Sequence, residues 1–189
     1  TALIRAIAAA VAERADVEVQ LIELTDIGPD LAGALRRDQL PASVEEKLVA
    51  IEQADLLIVG SPVYRASFTG LFKHLFDFVG QYELVGTPVL LAATGGGERH
   101  ALIIEHQLRP LFAFFQALTL PVGVYASTTD FDGYEIASDV LRARMRGEKE
   151  TTSTSWRVVL AMSVAGVRGA ITLAGVLTLP LMIPGGEPF

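Results

Sequence analysis

Apolar and polar positions follow two different periods along this chain. Three nearly continuous apolar runs, each ending in small or turn-forming residues, predict buried strands at residues 54–62, 87–97 and 120–128. A regular apolar–polar alternation predicts a strand with one buried face at residues 17–24. Helical spacing of apolar residues predicts amphipathic helices at residues 2–15, 43–53, 68–80, 99–118 and 133–145, while residues 25–43 are expected to form a long irregular link.

The order of these segments predicts the fold class. Strands that alternate with helices, and that are apolar along their whole length, favour an α/β fold with a doubly wound parallel sheet covered on both faces. In such folds ligands bind beyond the carboxyl ends of the strands. Two segments at strand ends, residues 60–70 ("GSPVYRASFTG") and 94–100 ("TGGGERH"), are therefore the candidates for a site.

Composition narrows the classes of function. The chain has 189 residues, enough for one full core, and no cysteine, which excludes disulfides, thiolate nucleophiles and thiolate-bound metals. The formal charge of −7 falls entirely on the first 146 residues, because Lys149, Arg157 and Arg168 balance Glu148, Glu150 and Glu187 in the rest. An acidic body without a basic patch argues against nucleic-acid binding.

Each of the two strand-end segments also has a plain structural interpretation. Residues 60–70 suit an ordinary strand–turn–helix connection, in which Ser67 caps the helix. A glycine cluster alone suits a flexible turn, although glycine also allows positive φ and lets a flat ligand approach the backbone. Two such segments on adjacent strands favour a planar ligand, because their amides would flank one edge of a ring.

The same two segments carry a family resemblance. Together, "SPVYRASFTGLFKHLFDFV" and "ATGGGERHALIIEHQLRPLFAFF" resemble the NADPH-dependent FMN reductase family, and the resemblance extends over residues 1–146. More narrowly, they are similar to flavodoxin-like reductases that supply reduced flavin to two-component monooxygenases, including those that use sulfonates. The resemblance implies that the cofactor-binding residues are Ser61, Pro62, Val63, Tyr64, Arg65 and Ser67 along the flavin ring, Thr94, Gly95, Gly96 and Gly97 along its other edge, and Arg99 and His100 nearby.

The resemblance also implies an activity and its partners. We expect FMN as the flavin, NADPH or NADH as the hydride donor, and a flavin-dependent monooxygenase as a partner. The sequence itself, which shows no signal peptide, leads us to expect a cytoplasmic location. Hydride transfer from nicotinamide to flavin requires no acid, base or nucleophile from the protein, so no catalytic side chain is assigned. No metal site is expected either. Six phenylalanines exceed the need of one helix stripe and predict a homo-oligomer: Phe68, Phe72, Phe76, Phe112, Phe114 and Phe115.

Two departures from the family pattern divide the chain into three parts. Residues 1–146 form the expected flavodoxin-like domain, in which the first strand and its phosphate loop are expected to be missing, so that Thr1 is the last residue of that loop. Residues 147–155 form a polar linker, and residues 156–189 form a hydrophobic tail that resembles a transmembrane segment of sodium/proton antiporters around "GVRGA". Any membrane contact is expected only through this tail.

Two alternatives to a working FMN reductase remain at this point. The chain is either a flavin-binding electron carrier or quinone reductase without a dedicated monooxygenase, or an inactive truncated fusion with a fragment of a membrane transporter. Bleaching of FMN only when a nicotinamide donor is present would separate the reductase from a simple flavin carrier.

Overall fold

The computed structural model describes residues 1–139 and 141–142. Its helices are α1 (Ala2–Ala12), α2 (Leu24–Ala32), α3 (Ala42–Glu52), α4 (Gly70–Phe78) and α5 (Arg109–Phe114), with a π-helical segment at Ile104–Leu108. Short 3₁₀ turns lie at Arg37–Gln39, Glu98–His100 and Thr128–Asp130. The strands are β1 (Leu57–Pro62), β2 (Pro88–Gly95), β3 (Leu118–Thr119), β4 (Val124–Ser127), β5 (Phe131–Asp132) and β6 (Glu135–Ile136).

The central strand of the main sheet is β2. It pairs in parallel with β1 on one edge, and with β3 and then β4 on the other. Pro62 lies opposite Thr94, and Gly95 lies opposite Ser127, so β1, β2 and β4 end at the same edge of the sheet. The predicted α/β fold with a parallel sheet is confirmed.

Helices cover both faces of this sheet, as a doubly wound fold requires. Alternate residues of a strand point to opposite faces. On one face, Val89, Leu91 and Ala93 of β2 join a large core cluster with α2, α3, α4 and α5. On the other face, Ala92 packs in a second cluster with Leu3 of α1. Two-sided burial explains why the strands are apolar along their length.

The strand predicted at residues 17–24 is wrong. Residues 17–23 have no regular structure, and Val17 and Val19 are 43% and 52% exposed. A strand needs a neighbour for its backbone N–H and C=O groups. Among the described strands, β1 pairs only with β2. The other edge of β1 therefore carries no described strand with which residues 17–24 could pair. Alternation along the sequence cannot supply that partner.

The irregular link predicted for residues 25–43 is also partly wrong, because α2 occupies its first part. Ile27, Gly28 and Leu31 are its buried residues, spaced as one face of a helix. A Cβ atom on Gly28 would lie 2.9 Å from Leu71 Cδ2, so glycine permits close packing of α2 on α4. The glycine and Pro29 had suggested a turn, but tertiary packing outweighs their low helix propensity.

Pro110 does not break the helical region predicted at residues 99–118. It is the second residue of α5, and the helical backbone continues into α5 from the segment before it. The irregularity lies just before it, in the π-helical segment Ile104–Leu108.

Most of the phenylalanines that suggested an oligomer pack inside the chain. The rings of Phe76 and Phe112 meet edge to face at 4.9 Å, and Phe112 is fully buried. Of the six, Phe114 is exposed (60%), Phe68 is half-buried, and the rest are buried: Phe72, Phe76, Phe112 and Phe115. The homo-oligomer stays a prediction, since intramolecular packing accounts for most of these rings.

The connection from β1 to α4 contains a strained turn at residues 64–67. Tyr64 and Ser67 exchange both backbone hydrogen bonds, 2.9 and 3.1 Å long, and the two residues between them have positive φ: 51° for Arg65 and 67° for Ala66. Positive φ at both central positions is the signature of a type I′ turn, which favours Asn or Gly. Side chains in this left-handed region carry a steric cost of about 1–2 kcal/mol per residue.

A network around Arg37 ties three helical elements together. Its guanidinium donates to Glu45 at 2.7 Å, to both oxygens of Glu52 at 2.6 and 2.9 Å, and to the Phe78 carbonyl at 3.2 Å. The N–H of Gly80 donates to Glu52 at 2.9 Å. Burial alone would raise the pKa of Glu52, but these hydrogen bonds outweigh it and hold the pKa below its ordinary value of 4.5.

The tail and the whole of the linker lie outside the described residues, as do the membrane contact and the antiporter-like segment predicted there. Within the described part of the chain, no helix is both long and apolar enough to cross a bilayer.

The lowered pKa of Glu52 predicts how stability depends on pH. Its stabilising effect is complete above pH 4.5, the ordinary value, and is lost as the pH falls through the lower folded-state pKa. Glu52→Gln should therefore lower the free energy of unfolding by about 1–2 kcal/mol at pH 7. Urea unfolding from pH 7 to pH 3 should show the variant and the unaltered chain converging. Glu46→Gln, on the same helix but 73% exposed, is the control and should change little; a gap at Glu52 that does not vary with pH would contradict this account.

The strained turn predicts a stabilising substitution. Ala66→Gly removes the Cβ atom that disfavours positive φ, and the greater chain entropy of glycine offsets only part of that gain. We expect up to about 1 kcal/mol of added stability in urea unfolding. Ala113→Gly, at an exposed position within α5, should instead cost about 1 kcal/mol. Equal losses in the two variants would show that the turn is not strained.

Candidate functional site

Beyond the carboxyl ends of β1, β2 and β4 lies a cavity of about 350 Å³. The Val63 N–H donates to the Thr94 carbonyl at 2.7 Å, which continues the pairing of β1 and β2 past the end of β1 and joins the two candidate segments. Ligand pockets in proteins have volumes of about 300–1,000 Å³. The cavity is therefore large enough for a small ligand.

Half of the twelve predicted site residues line this cavity. They come from both candidate segments and are Pro62, Val63, Tyr64, Thr94, Gly95 and Gly96. The remaining lining includes Thr1, which the sequence analysis placed at the end of the phosphate loop. It also includes residues that the sequence analysis did not assign to the site, namely Ala2, Leu3, Ser127, Thr128, Phe131, Gly133 and Tyr134. No lining residue has an acidic or basic side chain, so shape and hydrogen bonding dominate the cavity.

The other six predicted residues lie outside the lining: Ser61, Arg65, Ser67, Gly97, Arg99 and His100. Ser61 is 3% exposed, and its hydroxyl accepts a hydrogen bond from the Thr69 N–H at 3.1 Å. Ser67 does not cap α4; Thr69 does, accepting from the Phe72 N–H at 3.2 Å. Serine hydroxyls favour both caps and turns, so the sequence alone could not separate these roles.

The glycine segment has open space beside it and backbone N–H groups without a described acceptor. Cβ atoms added to Gly96 or Gly97 would meet nothing within 4 Å. Neither residue's N–H donates to any described residue. Neither has positive φ; the φ of Gly97 is 178°, an extended conformation open to any residue. What glycine provides here is open space beside unpaired N–H donors.

Tyr125 of β4 anchors this segment through a hydrogen bond. Its hydroxyl donates to the Gly97 carbonyl at 2.6 Å. A Cβ atom on Gly95 would collide with the same hydroxyl, which explains why glycine is required at that position. Burial raises the pKa of Tyr125, and the Glu98 carboxylate adds to the effect. The phenol therefore stays protonated and donates this hydrogen bond.

A short hairpin forms another wall of the cavity. Strands β5 and β6 pair antiparallel across a two-residue turn at Gly133 and Tyr134, and Gly133 has a φ of 59°. Positive φ at the first turn position favours glycine. The ring of Tyr134 is 92% exposed at the tip, and that of Tyr64 is 66% exposed. The Asp-Gly pair in "FDGY" was the sequence signal for this hairpin, but a turn alone did not indicate that it reaches the site.

The amino end of α1 opens on the same cavity. Thr1, Ala2 and Leu3 contribute to the lining, and the first N–H groups of a helix have no intrahelical acceptors. The Thr1 hydroxyl donates to Glu23 at 3.2 Å, and Arg5 pairs with that carboxylate at 2.6 Å. The hydrogen bond from Arg5 lowers the pKa of Glu23. A helix amino end favours an anionic group.

The acidic residues beside the cavity have structural partners. Asp130 accepts from the Ser127 N–H at 2.8 Å and from its hydroxyl at 3.0 Å, which closes the 3₁₀ turn after β4. Among the described residues, no group of three or more His, Asp or Glu side chains is arranged to hold a metal ion.

Several known proteins with similar sequences are FMN reductases. The chain is 58% identical over 144 residues to the NADH-dependent FMN reductase SfnF of Pseudomonas fluorescens, covering 76% of this chain and 77% of that protein. It is 56% identical over 144 residues to an FMN reductase (NADPH) of Pseudomonas aeruginosa, with the same coverage. Both alignments span most of each protein.

A solved structure shows the same fold. The oxidoreductase of Corynebacterium diphtheriae superimposes with a TM-score of 0.66 at 38% identity, covering 77% of this chain and 80% of that one.

A separate short match concerns another class of protein. Over 37 residues, 18% of this chain, the sequence is 62% identical to the uncharacterized Na⁺/H⁺ exchanger YjcE of Escherichia coli. The match covers 7% of the exchanger, too little to indicate its activity here.

A family model described as NADPH-dependent FMN reductase matches residues 1–132, which include twelve of the fourteen residues that line the cavity. The fold, the relatives and this match lead to one assignment. The chain belongs to the NADPH-dependent FMN reductase family of oxidoreductases.

Proposed function

We propose that the cavity beyond β1, β2 and β4 binds FMN, and that the protein catalyses hydride transfer from NADPH or NADH to this flavin. The observation that carries the proposal is the glycine segment at Gly96 and Gly97, of which Gly96 is exposed and Gly97 half-buried. Its N–H groups donate to no described residue, and the space beside each Cα is open. Unpaired donors beside a cavity suit the carbonyl and nitrogen acceptors along the edge of a flavin ring.

Other parts of the lining suit the rest of the ligand. The exposed ring of Tyr64 offers an aromatic face on the side of β1. The hydroxyls of Thr1, Ser127 and Thr128 and the amino end of α1 suit the polar chain and phosphate of the nucleotide. These residues fit FMN better than an uncharged aromatic ligand, because the phosphate of FMN is an anion that the amino end of α1 would stabilise.

The protein's contribution to the chemistry is orientation. FMN, when bound, supplies the atom that accepts the hydride from nicotinamide. Gly96 and Gly97 would fix one edge of the ring through backbone N–H groups, and Tyr64 would hold its plane. Arg65 and Ala66, held at positive φ, keep Tyr64 and Ser67 in their paired geometry. The mechanism requires no protonating side chain from this chain.

The open cavity also supports a proposal about the fate of the product. Tyr64 and Tyr134, the large exposed rings at its rim, leave room for the flavin to enter and depart. We propose that reduced FMN leaves and serves a partner monooxygenase, in keeping with the resemblance to two-component systems. The proposed location is the cytoplasm, where such a partner and both nicotinamide donors would be present.

A catalytic assay tests this function directly. The full chain is mixed without oxygen with a twentyfold excess of FMN and with NADPH or NADH, and the visible flavin absorbance is followed. We expect bleaching of many equivalents of FMN per protein, and only with a nicotinamide donor. Bleaching limited to one equivalent would indicate a carrier that does not release flavin, and no bleaching would overturn the proposal.

A glycine variant ties the activity to the cavity. Gly96→Val places a side chain in open space, so the fold should tolerate it while the ligand loses room. We expect at least a tenfold higher KM for FMN, because excluding the ring edge costs about 1.4 kcal/mol or more. Gly33→Val, at the end of α2 and also in open space, is the matched control. Equal KM values for the two variants would place the flavin elsewhere.

A further inference from the structure

We propose that Tyr125 is a positioning residue for the flavin. Its hydroxyl holds the Gly95–Gly97 backbone in the position from which the Gly96 and Gly97 N–H groups donate hydrogen bonds to the flavin. This inference rests on the proposed FMN site and adds a residue that does not line the cavity.

Strand pairing places Tyr125 beside the start of the glycine segment. It lies on β4 opposite Ala93 of β2, two positions before Gly95. The 2.6 Å hydrogen bond from its hydroxyl reaches past the end of β2 to the Gly97 carbonyl. That carbonyl also accepts the His100 N–H at 3.2 Å, so the segment is fixed from the sheet and from the following 3₁₀ turn.

Packing around Gly95 gives a second, independent observation. The Tyr125 hydroxyl occupies the place that a Cβ atom on Gly95 would take, and the ring carbon bearing it lies 3.3 Å from that position. The Tyr125 hydroxyl therefore has room only because residue 95 has no side chain. Changing either one moves the backbone that carries the two free N–H groups.

The ring and the hydroxyl of Tyr125 have different contacts. Its ring packs against the large core cluster, which phenylalanine would also satisfy. Its hydroxyl contacts the Gly97 carbonyl. Removing the oxygen alone therefore leaves the core contacts in place and removes the hydrogen bond that ties the glycine segment to β4.

The test is Tyr125→Phe in the full chain, with FMN as the probe. A net hydrogen bond is worth about 0.5–1.5 kcal/mol, so we expect FMN to bind about 3- to 10-fold more weakly by fluorescence quenching. The KM for FMN should rise by a similar factor, with kcat at saturating FMN within about twofold of the unaltered chain. The visible absorption band of bound FMN should also shift, because the donors at the ring edge move. Tyr82→Phe, the same chemical change at a 67% exposed position, should do none of this.

A second pair of variants keeps the test decisive if Tyr125→Phe affects folding. Gly95→Ala should weaken FMN binding strongly in the unaltered chain, because its Cβ meets the hydroxyl. In the Tyr125→Phe background the same substitution should cost at least threefold less affinity. Additive effects of the two substitutions would overturn the assignment.

The outcomes separate the two proposals. If the unaltered chain fails to bind FMN, the proposed site fails and the role of Tyr125 fails with it. If the unaltered chain binds FMN, but Tyr125→Phe binds it equally tightly with an identical absorption band, the role of Tyr125 alone is overturned.

Discussion

The structure depends on the parallel register of β1, β2 and β4. Because Pro62 lies opposite Thr94, and Gly95 opposite Ser127, three connectors leave the sheet at one edge and must share the space beyond it. Backbone pairing fixes that register, and the hydrogen bond from Val63 to Thr94 extends it into the connectors. The cavity is a consequence of this shared edge.

The connectors show what the site requires beyond the fold. Arg65 and Ala66 hold positive φ without being glycine, and Gly96 and Gly97 leave N–H groups without a described partner. Both features are unfavourable in a protein selected only for stability. Their concentration at one edge of the sheet, supported by Tyr125 below, is what a binding site for a flat ligand needs. The stable parts of the fold, such as the Arg37 network, lie elsewhere.

The sequence predicted the parallel sheet from local patterns, and the two segments that it singled out contain six of the fourteen residues that line the cavity. Continuous apolar runs mark buried strands, and the segments after them mark the ligand edge. The prediction of a strand at residues 17–24 was wrong because a strand needs a neighbouring strand to pair with, and no local pattern shows whether one is present. Ser61 and Ser67 were assigned to the flavin from a resemblance, yet their hydrogen bonds are to the protein. Ser127 and Tyr134 were missed because only the folded chain brings the end of β4 and the hairpin to β1 and β2.

The central claim is that the free backbone donors of Gly96 and Gly97 contact the flavin. Titration of the ¹⁵N-labelled full chain with FMN, followed by amide resonances, tests it most directly. The account predicts large shifts for the Gly96 and Gly97 amides at the concentrations that quench flavin fluorescence, with the Gly33 and Gly86 amides unchanged. Flavin binding that leaves the Gly96 and Gly97 resonances in place would contradict it.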